Sequence, residues 1–224
     1  VEGHDAANKL SILIAHAFGY AARPAEILYS GISNIGPQDA NLARQKECNI
    51  KLVANAQKLS NGNIAAFVLP QFVNQTDELA LVRNEFNAVI TESSFADKHF
   101  FKGRGAGAFP TAAAVLSDIS ALRYQYKYEY RKLNSVQKST LSNDFYLKVF
   151  ISAQQEEELC AASFEWVEET HSEPNYNWLT GVVHAAKLKE NDWWRKPGVS
   201  LIACNEPLIE DIAYLLINKR SLEL

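Results

Sequence analysis

Val1-Glu2-Gly3-His4-Asp5-Ala6-Ala7-Asn8-Lys9-Leu10 opens the chain and runs directly into Ser11-Ile12-Leu13-Ile14-Ala15-His16-Ala17-Phe18. The second part is apolar enough for a buried helix, and Gly19 is a usual residue for its end. A helix is therefore expected over residues 5–18. Asp5 and Lys9 stand four apart, so they project from one face a single turn apart. Two readings stay open from spacing: an ordinary helix salt bridge, or a carboxylate and an ammonium presented to a ligand. Glu2 can act as an acid near the positive end of the helix dipole. His4 is expected to face solvent. His16, eleven residues after Asp5, shares its face and is expected as a hydrogen-bonded core or interface histidine.

A second stretch has the same dual character. Gly103-Arg104-Gly105-Ala106-Gly107-Ala108-Phe109-Pro110-Thr111 leads into Ala112-Ala113-Ala114-Val115-Leu116-Ser117-Asp118-Ile119. Glycines ahead of a helix let backbone approach a ligand closely. A tight strand-to-helix turn explains them equally well, and both can hold. The stretch is not a dinucleotide fingerprint: it lacks the G-x-x-G ending and the acidic residue about twenty positions on.

The composition of the 224 residues is that of a globular protein, 47% hydrophobic and 21% charged. A formal net charge of −4 argues against a nucleic-acid or anionic-membrane surface. The longest apolar run falls short of the roughly 18 residues of a membrane span. No signal peptide is expected, because the start lacks a basic n-region and a small-residue cleavage site. Cys48, Cys160 and Cys204 form no C-x-x-C pair, which suits a reducing cytoplasm and offers neither a zinc site nor a disulfide framework. No metal site is expected. The sequence contains no methionine, so the chain is expected to be a piece of a longer protein.

Further along, Pro24 should start a short helix over residues 25–29. Pro37 should start another that reaches residue 46. Residues 50–57 alternate as a half-buried strand, Asn61-Gly62 turns it into a partner over 64–69, and Pro70 should end that partner. A helical turn at 77–82, strands at 86–92 and 98–102 and a helix from Pro110 follow. Tyr124 to Tyr130 is ambiguous between helix and strand. Polar residues 134–143 read as a linker. Beyond it, strands at 145–152, 163–170, 178–188 and 198–204 and a closing helix at 208–218 make a separate small unit. The four tryptophans cluster there and are expected to pack in a core or interface.

Both opening stretches resemble homoserine dehydrogenase, whose substrate domain begins V-E-G-x-D-A-A-x-K-L and closes with G-x-G-A-G-x-x-P-T-A. Phe18-Gly19, Gly31-Ile32, Ile50-Lys51-Leu52 and Phe86-Asn87-Ala88-Val89 extend the likeness across residues 1–120. The resemblance implies an α+β fold: a mixed sheet of about four or more strands covered by helices, then a small ferredoxin-like, ACT-like α+β domain. It implies a substrate-binding and catalytic domain over 1–133, a linker over 134–143 and an ACT-like regulatory domain over 144–224.

The implied activity is NADP- or NAD-dependent interconversion of aspartate 4-semialdehyde and homoserine, in threonine, methionine and isoleucine biosynthesis. Lys9 would be the catalytic proton donor, made more acidic by burial. Asp5 would hold the substrate amino group and Glu2 would belong to the substrate site. Gly105 and Gly107 would lie against the cofactor. The implied partners are a small-molecule substrate, a second copy in a homodimer and an N-terminal dinucleotide-binding domain, without which the chain alone is not expected to turn over. Nucleic acid and membrane are not expected partners. A non-catalytic dimerisation and amino-acid-sensing module is the alternative. The effector-holding acidic-Pro-Gly turn of such regulatory domains is replaced here by Ala153-Gln154-Gln155-Glu156-Glu157-Glu158, so no effector is named.

Overall fold

The computed structural model describes residues 2–127, 129, 131–134, 139–159 and 163–213. They divide into two compact units, one of residues 1–72 with 130–224 and the other of residues 73–129.

Helix α1, His4–Phe18, has a left-handed glycine at each end, Gly3 with φ 88° and Gly19 with φ 71°. Its buried positions Ala7, Leu10, Ile14 and Ala15 follow helical spacing and form one stripe. A 3₁₀ turn at Pro24–Glu26 leads to the two-residue strand β1, Leu28–Tyr29. Helix α2, Pro37–Gln45, starts on its proline. Strands β2, Cys48–Lys58, and β3, Ile64–Asn74, pair across the turn at residues 59–63.

The rest of the first unit supplies β6 (Tyr146–Ala153), β7 (Trp166–Glu173), β8 (Tyr176–His184), α4 (Ala185–Glu190) and β9 (Ser200–Ile209). All these strands join one seven-stranded mixed sheet in the order β1-β3-β9-β6-β8-β7, with β2 also on β3. Strand β3 pairs in parallel with β1 and then, at Gln71 opposite Ala203, with β9. The tail strands are antiparallel to one another. Counted within the tail, their order is fourth, first, third, second, that of a ferredoxin-like βαββαβ unit.

The two faces of this sheet make the core. Along β3, Ala65, Phe67 and Leu69 pack with Leu147, Val149, Ile151, Leu188 and Trp194 on the α4 side. Their neighbours Ile64, Ala66 and Val68 pack under α1. Phe150 and Ile202 point to the face under α2, where they meet Ala43 and Phe72. Alternation along the strands thus feeds two helical layers.

In the second unit, β4 (Phe86–Ser93) and β5 (Asp97–Arg104) form an antiparallel hairpin of their own, apart from the mixed sheet. A 3₁₀ turn at Glu78–Leu81 precedes it, and helix α3, Ala108–Arg123, follows.

Several expectations change. Residues 28 and 29 are a strand rather than a helix, because β3 supplies partners at Phe67 and Val68. Pro70 does not end β3: it falls between Val68, paired with β1, and Gln71, paired with β9, where the strand changes partner. The tail does not start a separate sheet after residues 134–143. Leu141 bridges to Ile64 and Ser139 is buried, so the described part of the expected linker is packed. Leu208 and Ile209 belong to β9, opposite Leu147 and Tyr146, rather than to a closing helix. The rest of that helix beyond residue 213, and Tyr128, Tyr130 and Cys160, lie outside the described residues.

Candidate active site

The start of α1 is built by Gly3. Its positive φ is strained for other residues, and a Cβ there would sit 2.9 Å from the Ser30 carbonyl oxygen. The chain can therefore bring the first turn of α1 flat against residues 30 and 31. Ser33 Oγ donates to Glu2 Oε1 at 2.5 Å, fastening the same turn from the other side. Glu2 precedes the Gly3 cap, so it is held by a serine hydroxyl rather than sitting in the first helical turn. His4 is exposed, and its ring lies 5.0 Å from that of Tyr29.

One turn on, Lys9 Nζ and Asp5 Oδ2 form an ion pair at 2.8 Å. Their side chains are 60% and 83% exposed. The expectation of a buried lysine is not met, and the reason lies in the helix phase. The stripe through Ala7, Leu10 and Ile14 faces the sheet, which leaves Asp5 and Lys9 on another face. Ile12 and Leu13 follow them there, 51% and 44% exposed. A charged pair followed by open apolar side chains suits a surface that something else covers.

The glycine stretch lies in the second unit. Gly105 N–H donates to the Glu85 carbonyl at 2.8 Å, and a Cβ on Gly105 would land inside the Asn87 side-chain amide. Gly107 caps α3 with φ 119°. Gly103 has open space where a side chain would be. Residues 87–89 and 100–105 line an open groove of about 660 Å³. Both predicted glycines therefore have a local backbone reason, and Gly105 also lines the groove. Arg104 and Lys102, its cations, are engaged with Glu85 and with the Leu81 carbonyl respectively.

Asp5 and Lys9 thus stand one turn apart on α1 with Glu2 just ahead of its Gly3 cap, while Gly105 and Gly107 sit at the β5–α3 junction of the other unit. Tyr29, Ser30 and Ser33 were missed in the sequence. The motif Gly31-Ile32 and the turn at residues 33–37 marked the segment, but nothing local indicates that it returns to α1. Among the described residues there is no cluster of metal-ligating side chains, and no helix is long and apolar enough to cross a membrane.

Comparison with known proteins bears on these residues directly. The homoserine dehydrogenase family profile matches residues 1–120. A homoserine dehydrogenase of Corynebacterium glutamicum is 41% identical over 123 residues, covering 53% of this chain and 28% of that protein. The Bacillus subtilis homoserine dehydrogenase is 34% identical over 122 residues, covering 54% of this chain and 28% of the relative. The aligned part is thus little more than a quarter of the curated relatives it matches. A crystal structure of a homoserine dehydrogenase from Thiobacillus denitrificans superposes with a TM-score of 0.69 at 22% identity, over 91% of this chain and 53% of that one. One from S. aureus gives 0.59 at 22% identity with the same coverage. At that identity the structures speak for the fold, tail included. With the family profile spanning more than half its length, and both the Asp5–Lys9 turn and the glycine turn inside the matched residues, the chain belongs to the homoserine dehydrogenase family.

Proposed function

We propose that this chain carries the substrate-holding and proton-transfer part of a homoserine dehydrogenase, which interconverts aspartate 4-semialdehyde and homoserine with NADP or NAD in the biosynthesis of threonine, methionine and isoleucine. The observation that carries this reading is the Asp5–Lys9 pair at 2.8 Å, on a helix face left open, within the residues that match the family.

Asp5 is the partner for the substrate ammonium, since a carboxylate favours a cation. Lys9, one turn along, stands beside the carbonyl oxygen. As the aldehyde carbon is reduced, that oxygen takes up negative charge, and the Lys9 ammonium donates its proton; in the other direction Lys9 accepts it. A substrate ammonium at Asp5 would compete for the carboxylate that Lys9 now pairs with, freeing the lysine for transfer. Proton transfer of this kind is worth about 10²–10⁴ in rate. A nicotinamide cofactor, when bound, would supply or accept the hydride. Gly105 and Gly107 would lie against it; Gly105 lines the groove, where bare backbone permits close approach.

The full reaction also needs a dinucleotide-binding domain. On α3, Leu116, Ile119 and Leu122 are 65%, 57% and 70% exposed, apolar surface of the kind another domain or a second copy in a homodimer covers. The ferredoxin-like tail is read as an ACT-like regulatory domain. Here the turn after β6 is a 3₁₀ segment, Glu156–Leu159, without glycine or proline.

The test is Lys9→Ala in the full-length enzyme. Homoserine oxidation followed by nicotinamide absorbance should fall about 10²–10⁴-fold while circular dichroism is unchanged. Near-normal turnover by the variant would remove Lys9 from the mechanism.

A further inference from the structure

Segment 29–34 has two gripped sides. On one side it meets the start of α1: Tyr29 against the His4 ring, the Ser30 backbone against Gly3, and Ser33 on Glu2. On the other it is held by the tail. Arg195 Nη2 donates to the Tyr29 carbonyl at 3.0 Å. The same guanidinium lies over the Tyr29 ring at 5.3 Å and over the Trp194 ring at 4.5 Å. Trp194 is itself buried and donates from its indole to the Leu188 carbonyl, so the plane beneath Arg195 is fixed. Asp192 pairs with Arg195 Nε at 3.2 Å. Next along, Asn34 Nδ2 donates to the Lys196 carbonyl at 3.1 Å, and Ser200 Oγ to the Asn34 carbonyl at 2.6 Å.

We propose that Arg195 is a positioning residue for the substrate helix: by clamping Tyr29 it holds His4 and the first turn of α1, and so places Asp5. The assignment rests on the reading of Asp5 as the holder of the substrate ammonium. It gives the tail a part in catalysis that needs no effector. A flat guanidinium between two rings, with a donor on the Tyr29 carbonyl, constrains both the ring and the backbone of residue 29. Asp5 lies in the first turn, next to His4, and Lys9 a turn further in. Loosening the clamp should disturb substrate binding before proton transfer.

Two readouts on Arg195→Ala decide it. In the chain as it stands, hydrogen exchange is followed at Ala7, whose N–H closes the first turn on the Gly3 carbonyl at 3.0 Å. Exchange there should quicken about tenfold, with the buried Ile14 amide unchanged. In the full-length enzyme, KM for homoserine should rise about three- to tenfold with kcat within about twofold. Tyr29→Ala should do the same, and the double variant should add little to either. Arg195→Lys, which keeps a cation over the ring, should recover part of the KM. Unchanged protection at Ala7, or an unchanged KM in an active enzyme, overturns the clamp. A wild-type enzyme that fails to oxidise homoserine overturns the parent reading instead, and the Ala7 exchange still decides whether the clamp orders the helix. If Arg195→Ala does not fold, Arg195→Lys and Tyr29→Ala carry both measurements.

Discussion

Asp39 is 2% exposed, and its carboxylate is satisfied by neutral donors. Its Oδ1 accepts from Ser152 Oγ at 2.7 Å and Tyr176 Oη at 3.1 Å. Its Oδ2 accepts from the Gly36 N–H at 2.9 Å and lies 2.7 Å from Ser200 Oγ, whose one proton is shared between this oxygen and the Asn34 carbonyl. One carboxylate therefore caps α2 and fastens it to β6, β8 and β9. Burial, and then this neighbouring carboxylate, push the Tyr176 phenol far above its ordinary range, so it stays a donor. Asp39→Ala would strand three buried or half-buried donors at once, those of Ser152, Tyr176 and Gly36, while Ser200 keeps the Asn34 carbonyl. It should lower unfolding free energy by about 3 kcal/mol, read as a shifted midpoint in urea with an unchanged slope. Neither its burial nor its partners could be read locally: the sequence placed Pro37 at the helix start, but three of the four donors come from elsewhere in the chain.

Elements whose limits are set by their own residues were legible. Gly19 ends α1, Pro37 begins α2, and Asn61-Gly62 turns β2 into β3, each through a backbone requirement confined to a few positions. Strand β1 was not legible, because two residues acquire that state only by lying along β3. The continuation of β3 through Pro70 depends on a change of neighbour that no local pattern records. The paired charges of α1 were found by spacing, but their exposure follows from which stripe the sheet takes. The glycine turn of the second unit offers a direct test of how local such constraints are. Gly105→Ala drives its methyl into the Asn87 amide and should destabilise that unit by about 1–3 kcal/mol. Adding Asn87→Ala should recover most of the loss, because it removes the obstacle; no recovery in thermal unfolding would mean that the backbone itself resists.

At the scale of the whole molecule, the seven-stranded sheet makes the first and last parts of the chain one folding unit. Phe67 and Phe145 pack ring to ring at 6.1 Å across the proposed boundary, and the Trp194 indole is buried in the same cluster. A chain ending at residue 133 would leave the α4-side face of β3 bare. It should therefore behave as a collapsed state with helical far-ultraviolet dichroism, dye-binding apolar surface and no cooperative thermal transition. A sharp transition in that shorter chain would show that residues 1–133 stand alone.

The parallel pairing of Gln71 with Ala203 also sets a schedule for biosynthesis. The partner residue is translated 132 positions after its mate, a lag on the order of 10 s at the ordinary pace of a ribosome. Throughout that interval the nascent polypeptide holds an unsatisfied β edge, the kind of template on which neighbouring chains aggregate. Vigorous expression should therefore favour inclusion bodies, and slowing synthesis or supplying a holdase should raise the recovered yield.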